Sequence, residues 1–322
     1  MSAIHDILVV GGAGIDTIVQ VPSLTLPAAD SLHVPAIHDY VAHTGNGVAL
    51  GCLALQLRTK FIDFIGADRQ GRMILERYRE RGLDFSHLVH ESGTRRSVNL
   101  IDPQGRRLSM YDGRHPYDLR MPREFYLPHL AAARHAHFSI MHWVRDLYDD
   151  AQALGVTVST DLHDWDGANP HHRDFALRSD LVFIGAAALG ERVGEVMAQI
   201  LRDGRALAVV AMAGERGSYL LARGDSDAGV RHFPCAPLPR PVVDSNGAGD
   251  SFVAAFLAAW LRGEPLELAM RQGAIGGAFA CGWHGTHEQF IGADELARQL
   301  ERWPRPPTCA GDTRPGWRPS IF

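Results

Sequence analysis

The sequence is poor in cysteine and shows no arrangement that favours a disulfide framework or a metal centre. Its 322 residues include four cysteines, and none of them forms a CxxC pair. This usage is typical of a reduced protein with incidental thiols. The 17 histidines include no HExxH spacing, and none is paired with cysteine at a metal-binding spacing. The sequence therefore leaves the ligands of any metal unknown.

Long hydrophobic runs and an excess of positive charge are also missing. No segment reaches the roughly 18 apolar residues that a membrane-spanning helix needs. No basic segment precedes the first apolar run, so we expect no secretory signal. The 32 basic and 37 acidic side chains give a formal net charge of −5, which argues against nucleic-acid binding. These absences predict a cytoplasmic protein with neither nucleic acid nor membrane as a partner.

What the sequence does contain is a regular alternation of short apolar runs and helical patterns. Alternation of this kind predicts an α/β protein with a doubly wound, mostly parallel sheet that helices cover on both faces. The predicted elements are helices at 46–57 and 68–82 and strands at 4–12, 60–66, 136–141, 156–161, 181–185 and 207–212. We expect residues 1–303 to form a single domain. Residues 304–322 hold five prolines without periodicity and are expected to form an irregular C-terminal tail.

Two stretches depart from this pattern, because apolar and polar residues alternate one by one in them. The stretches 31–41 and 96–112 have the period of strands that bury one face. The second stretch also contains the turn sequence DPQG. We therefore expect a small antiparallel β lid on the main domain, built from segments of about 17–41 and 94–112.

The segment 242–260, VVDSNGAGDSFVAAFLAAW, joins a predicted strand to a predicted helix through three small residues. A helix N-terminus attracts anions, because its first N–H groups are unpaired and the macrodipole is positive there. Small residues let a ligand approach that backbone closely. Asp250 falls on the first turn of the helix, directly after Gly247, Ala248 and Gly249. The aspartate is therefore either a helix-capping acid or a group that acts on a bound ligand, and the spacing leaves both open.

The motif DSNGAGDSF closely resembles the DTxGAGDxF signature of the ribokinase-like (PfkB) carbohydrate kinases. Further family motifs occur in the family's order, so the resemblance covers about residues 5–295. Their matches are GGAGIDTIVQV (11–21), TGNGVALGCLALQL (44–57), FIGADRQGRMI (64–74) and VVAMAGERGSYL (209–220). The resemblance implies a ribokinase-like fold and ATP-dependent transfer of the γ-phosphate to a hydroxyl group of a small sugar or sugar-like molecule.

The resemblance also implies a catalytic role for each residue of the GAGD segment. In this family the aspartate at the position of Asp250 deprotonates the acceptor hydroxyl. The backbone N–H groups around Gly247, Ala248 and Gly249 form an anion hole for the transferred phosphate. Phosphoryl transfer depends mainly on positioning and charge stabilisation, which such N–H groups provide without reorganisation. A general base contributes typically about 10²–10⁴ in rate.

Five further residues are predicted to bind the substrate. Asp16 matches the family's substrate-binding aspartate, and its carboxylate can accept hydrogen bonds from two neighbouring hydroxyls. Gly45 and Gly47 would let the backbone approach the same sugar, and Asn46 offers both a donor and an acceptor. Asn99, on the inserted sheet, would either close over the substrate or be an exposed polar residue of a strand.

The nucleotide site is predicted along the carboxyl edge of the sheet. The resemblance places the phosphates of ATP near residues 247–249 and the base near Gly214, Gly217 and the segment 273–287. Mg²⁺ is expected to bridge the phosphates mainly through water, since no dense cluster of carboxylates is visible. Asp244 occupies a position that helps to shape a monovalent-cation site in some members of the family.

Several family positions carry other residues in this sequence. The family's N-x-x-E pattern, which helps to organise magnesium and phosphate, has Gly185 and Ala188 at its two positions. Ala49 and Ala274 replace two further asparagines. Two alternatives therefore stay open: a nucleoside kinase of the same family, and a catalytically weak protein that senses sugars or nucleotides. A dinucleotide-dependent oxidoreductase is disfavoured, because GGAGID lacks the third glycine of its motif.

Three side chains at predicted strand ends stay open between a ligand-binding and a structural role: Asp161, His163 and His142. Each follows an apolar run, and ligands reach the carboxyl edge of a parallel sheet at such positions. The resemblance also allows a homodimer formed through the lid, which the sequence itself does not establish.

Overall fold

The computed structural model describes residues 4–224 and 229–303, and the predicted C-terminal tail 304–322 lies outside them. The strands of the described residues are β1 (Ile7–Val10), β2 (Gly14–Gln20), β3 (His38–Ala42), β4 (Thr59–Ile65), β5 (Asp84–Val89), β6 (Arg96–Ile101), β7 (Arg107–Asp112), β8 (His135–Phe138), β9 (Thr157–Asp161), β10 (Leu181–Gly185), β11 (Ala208–Met212), β12 (Ser218–Ala222) and β13 (Arg231–Phe233). The helices are α1 (Thr44–Ala54), α2 (Arg69–Arg81), α3 (Arg123–Ala131), α4 (Leu147–Ala153), α5 (Pro170–Arg178), α6 (Val193–Asp203), α7 (Ala248–Leu261), α8 (Leu266–Ala280) and α9 (Ala293–Arg302). Among the described residues, no helix has both the length and the apolar character that crossing a bilayer requires.

The main sheet has the strand order β13-β12-β11-β10-β9-β8-β1-β4-β5 within the described part of the chain. The strands from β11 to β5 pair in parallel, and β12 and β13 add an antiparallel edge. Parallel strands are buried on both faces, and β1 and β4 are buried along their whole length. Helices α1, α2, α7, α8 and α9 pack one core against one face, while α3, α4, α5 and α6 pack a second core against the other. The predicted doubly wound, mostly parallel fold is confirmed.

A small second sheet stands beside the main one, with the order β3-β2-β6-β7. Strand β2 pairs antiparallel with β3, and β6 pairs antiparallel with β7, while β2 and β6 run parallel at its centre. The predicted strand at 31–41 is wrong in its first part, because β3 begins only at His38. Residues 31–37 are largely exposed, and Pro35 among them lacks the N–H that a strand ladder needs. The division into one domain, a lid and a tail stays a prediction.

The predicted strand at the start of 242–260 is also wrong. Val242 and Val243 are exposed, and no neighbouring strand pairs with them in the described structure. The backbone is held instead by the end of α8, since the Val243 N–H donates to the carbonyl of Cys281 over 2.8 Å. The predicted helix is present as α7, whose Phe256 packs edge-on against Phe183 of β10 at 5.2 Å between ring centroids. A β-branched run is therefore not sufficient for a strand where no partner strand is available.

Candidate active site

The small-residue loop before α7 has the conformation that its glycines require. Gly247 caps the helix with φ of 75°, in the left-handed region that disfavours a side chain. A Cβ atom there would also overlap the carbonyl oxygen of Thr286. At Gly249 a Cβ would meet only the Met212 side chain, at 3.7 Å, so packing does not demand a glycine. The first N–H groups of α7 lack intrahelical acceptors, and residues 247–250 are only partly buried, which leaves this turn accessible to a ligand.

Asp250 lies in the first turn of α7, and its carboxylate is turned toward another loop. The Asp250 Oδ2 atom is 2.8 Å from Nε2 of His287, a fully buried side chain that follows α8. The other ring nitrogen of His287, Nδ1, is 3.0 Å from Nδ2 of Asn46 in α1. Asp250 is thus hydrogen-bonded to an imidazole from its place in the first turn, and whether it acts as a base or only complements the helix dipole stays a prediction.

Sequence reasoning missed His287. It is the last residue of the segment 273–287, which was predicted to lie near the adenine base of ATP. Nothing in the local pattern distinguishes it from His284. The signal lies in the tertiary structure, because Asn46 and Asp250 are 241 and 37 residues away from it along the chain.

Asp16 is buried on β2 and is linked to the same loop. Its Oδ2 accepts a hydrogen bond from Thr286 Oγ1 over 3.2 Å, and its Oδ1 is 3.4 Å from Nε2 of His43. Burial opposes ionisation of this carboxyl, but the hydrogen bond and charge of His43, together with the hydrogen bond from Thr286, outweigh it. The pKa of Asp16 therefore lies below its ordinary value. Two adjacent residues of one loop, Thr286 and His287, thus contact Asp16, the predicted substrate-binding acid, and Asp250, the predicted general base.

The glycines at the start of α1 are required by packing within the protein. A Cβ on Gly45 would overlap the carbonyl oxygen of Gly11. A Cβ on Gly47 would overlap Nε2 of His287 and lie 2.6 Å from Cβ of Asp250. The predicted contact of these glycines with a sugar stays a prediction, but the close approach they permit here is of α1 to the loop after β1, to α7 and to the loop after α8.

The two predicted substrate-binding asparagines are both buried. Asn46 in α1 donates from Nδ2 to the carbonyl of Val41 over 3.2 Å as well as to His287. Asn99 lies on β6 and is buried, contrary to the alternative of an exposed strand residue. The Oδ1 atoms of both asparagines have no hydrogen-bond partner among the described residues. A bound ligand with a hydrogen-bond donor could therefore bond to either of these two oxygen atoms.

Aromatic side chains lead from Asp16 toward solvent. Tyr111 of β7 lies 5.7 Å from His43, measured between ring centroids. The Tyr111 hydroxyl is 4.0 Å from the sulfur of Met141, which follows β8. This line of side chains connects the small sheet to the carboxyl edge of the main sheet. His142, the next residue after Met141, stacks on the exposed Tyr117 at 5.1 Å between ring centroids.

The predicted nucleotide-side residues shape two tight turns. Gly214 and Gly217, with φ of 60° and 84°, form the turn between β11 and β12, and the Gly217 N–H donates to the Gly214 carbonyl over 3.0 Å. The Asp244 carboxylate accepts from the N–H of Asn246 over 2.9 Å, which folds the loop before α7. Arg107 of β7 donates to Oδ1 of Asn246 over 2.7 Å, so the small sheet contacts that loop.

The residues left open at strand ends have different surroundings. Asp161 is buried at the end of β9, where burial raises its pKa; the charge of Asp250 adds to this effect and that of His163 opposes it. His163 lies 3.2 Å from Oγ1 of Thr44 through its Nε2 atom. Asp161 is therefore a second carboxyl within the electrostatic reach of Asp250.

The structure explains one departure from the family pattern. A Cβ at Gly185 would lie 2.9 Å from the carbonyl oxygen of His163, to which the Gly185 N–H donates over 2.6 Å. An asparagine would require this loop to move. Within residues 4–224 and 229–303 no three His, Cys, Asp or Glu side chains are grouped so as to hold a metal ion.

Comparison with known proteins gives consistent results. The family model for pfkB family carbohydrate kinases matches residues 183–291. The chain is 45% identical to acarbose 7(IV)-phosphotransferase of Actinoplanes sp. over 299 residues, which is 92% of this chain and 99% of the relative. It is 47% identical to the solved structure of a microbiome-derived acarbose kinase, with a TM-score of 0.86, covering 94% of this chain and all of the other. Ribokinase from Thermotoga maritima has the same fold, with a TM-score of 0.75 at 17% identity, covering 92% and 100% of the two chains.

Proposed function

The chain belongs to the pfkB family of carbohydrate kinases, which are ATP-dependent sugar phosphotransferases, and on that premise we propose how its site works. Asp250 is the general base that removes the proton from the acceptor hydroxyl. The N–H groups of residues 247–250 stabilise the negative charge of the transferred phosphate. The observation that carries this proposal is the position of the Asp250 carboxylate, in the partly buried first turn of α7 and directly after Gly249.

The chemistry follows from that position. When the acceptor oxygen attacks the γ-phosphorus atom, its proton goes to the Asp250 carboxylate, and the bond to the oxygen of the leaving ADP breaks. Charge spreads over the oxygens of the transferred phosphate, where a helix N-terminus stabilises it. Asp16, held ionised at the same loop, accepts hydrogen bonds from hydroxyls of the acceptor ring. One acid therefore orients the acceptor while the other takes its proton.

The family implies the use of ATP and Mg²⁺, and the site suits both. The first turn of α7 would hold the phosphates of ATP, and the turn at Gly214 and Gly217 would lie beside its adenine base. Mg²⁺ would neutralise charge on the phosphates, and the absence of a carboxylate cluster in the described residues fits an ion that keeps most of its waters. Asp244 would contribute to a monovalent-cation site through the loop that it folds.

We infer that the acceptor is an oligosaccharide-like molecule of the acarbose type. The name of the 45% identical relative places its phosphate on position 7 of ring IV, so its acceptor has several rings. In this chain two aromatic side chains are exposed: Tyr111, which lies against His43, and Tyr117, which stacks on His142. Aromatic faces of this kind suit the apolar faces of further sugar rings. The nucleoside alternative has no comparable support, and the retained base argues against a purely sensing protein.

The test is a panel of acceptors assayed by ADP release with the purified protein. Acarbose, linear malto-oligosaccharides, monosaccharides and nucleosides are compared at equal concentration, each with and without chelation of divalent metal. We expect the highest kcat/KM with acarbose and a loss of activity on chelation. Tyr117→Ala should raise KM for acarbose about tenfold and leave KM for a monosaccharide unchanged. Equal activity with a nucleoside would contradict the acceptor assignment. A homodimer through the lid and a cytoplasmic location stay predictions.

A further inference from the structure

The general base proposed above needs a fixed orientation, and the structure offers one side chain that supplies it. Resting on that proposed function, we propose that His287 is a positioning residue: a neutral imidazole that donates from Nε2 to Oδ2 of Asp250 and holds the other oxygen toward the acceptor. The relevant contact is the 2.8 Å distance between these atoms. Without it, an aspartate at the edge of an open site would rotate about its side-chain bonds.

The tautomer of His287 follows from its other neighbour. Val41 contributes a carbonyl oxygen, which can only accept, so the atom of Asn46 that faces it is the amide nitrogen Nδ2. The same nitrogen lies 3.0 Å from Nδ1 of His287, and as a donor it needs an acceptor there. Nδ1 therefore carries no hydrogen, and the single ring hydrogen of His287 is on Nε2. The chain of donors runs from Asn46 through His287 to Asp250.

The imidazole is also held in place by shape. Gly47 and Gly247 approach its ring so closely that a Cβ on either residue would overlap it or lie within 2.8 Å of it. Phe290 stacks on the ring, with 5.9 Å between the centroids and 14° between the ring planes. Because the ring is buried and in close contact with these three residues, its hydrogen bond fixes Asp250 rather than following it.

This arrangement has a chemical consequence for the proton transfer. With Oδ2 engaged by a neutral donor, Oδ1 is the carboxylate oxygen that we assign to the acceptor hydroxyl. The proton of the acceptor hydroxyl moves to Oδ1 as the oxygen–phosphorus bond forms, and His287 keeps its own hydrogen throughout. A neutral donor orients the carboxylate without adding a positive charge that would weaken it as a base.

The test uses two substitutions at position 287 and a base-deficient background. His287→Gln places an amide nitrogen near the position of Nε2, so it can preserve the hydrogen bond to Asp250; His287→Leu preserves the volume alone. We expect His287→Leu to lower kcat about 10- to 100-fold with KM for ATP unchanged, and His287→Gln to stay within about fivefold of wild type. In the Asp250→Asn background, His287→Leu should cause no further loss, because there is no base to position.

A matched control is His135→Leu, another buried histidine, which contacts Trp260 and two hydroxyls of β9 rather than Asp250. It should lower the melting temperature without lowering kcat. Equal loss of kcat in His287→Leu and His287→Gln, or a full additional loss in the Asp250→Asn background, would overturn the proposal.

A second readout does not depend on activity. In ¹⁵N-histidine-labelled protein, long-range ¹H–¹⁵N spectra should show His287, assigned by its absence from His287→Gln, as the neutral Nε2–H tautomer. The Nδ1–H tautomer would refute the inference even in an active enzyme. If wild type phosphorylates no acceptor at all, the proposed function fails instead, and the spectrum still decides the tautomer.

Discussion

Replacement of Asp250 by asparagine should separate proton transfer from every other task of the site. The amide oxygen can still accept from Nε2 of His287, which lies 2.8 Å from the carboxylate. The amide nitrogen, a donor, then replaces the free carboxylate oxygen and faces the acceptor hydroxyl. The variant thus keeps the geometry of the side chain but presents two donors to each other at the point of proton transfer.

The magnitude follows from the loss of a general base. Such a loss lowers kcat about 10²- to 10⁴-fold, which corresponds to roughly 2.7 to 5.4 kcal/mol of transition-state stabilisation. If Asp250 served the helix dipole alone, the change would cost only about 0.3–1 kcal/mol of stability and leave turnover intact. The two interpretations therefore differ most in kcat, where the base hypothesis requires a change of at least 2.7 kcal/mol.

The assay is ADP release under saturating ATP and acceptor, with thermal unfolding and calorimetric ATP binding measured on the same preparations. We expect kcat to fall at least 100-fold, ATP affinity to change less than about threefold, and the fold to remain intact. The anion hole is made of backbone and Asp16 is untouched, so binding has no reason to change. An Asp250→Asn enzyme that turns over within a few-fold of wild type would refute the reasoning.

Three further predictions concern two residues of the site's surroundings and Asp6, the residue before β1. Gly47→Ala should lower kcat at least about tenfold, because its methyl group would displace His287. The control Gly292→Ala should leave kcat unchanged, because a Cβ there meets nothing within 4 Å. Steady-state kinetics and melting curves check both variants. Asp16→Asn should raise KM for the acceptor about 10- to 100-fold and leave KM for ATP unchanged, since the amide loses charged acceptor capacity, and an equal rise in both would contradict this role. Asp6→Asn should lower the free energy of unfolding by about 1 kcal/mol at pH 7, because a side-chain hydrogen bond from Arg58 holds the pKa of Asp6 at about 2. That stability needs the ionised carboxylate, so the difference from wild type should vanish as the pH falls from 3.8 through about 2, and denaturant titrations across this range would reveal a constant difference if the reasoning is wrong.

Much of the fold could be predicted because its signals are local. The end of α2 illustrates this: its apolar spacing and the following glycine predict a stop, and Gly82 takes φ of 69° there. The strand at 181–185 is found with the predicted bounds, since a short apolar run between polar flanks has few other uses in an α/β chain. Failures occurred where a local pattern lacked a partner. The valines at 242–243 favour a strand, but no strand lies beside them.

The candidate site could be predicted only in part. Asp250 and the loop before α7 stand out because a glycine-rich turn and an acid on a helix's first turn are adjacent in sequence. Gly47 was assigned to contact with a sugar, whereas its closest constraint is the ring of His287. No sequence pattern encodes that constraint, because it depends on where the loop after α8 returns to α1.

The sequence by itself determined the alternation of strands and helices, the order of the motifs and the identity of the acid on α7. These depend on periodicity and on backbone preferences, which act over a few residues. The tertiary structure alone decided that Asn46, His287 and Asp250 form one hydrogen-bonded chain and that Thr286 joins Asp16 to it. The residues in these contacts are separated by 37 to 270 positions, and a hydrogen bond requires its atoms to lie about 3 Å apart. Only the packing of α1, α7 and the loop after α8 against one edge of the sheet brings them to that distance.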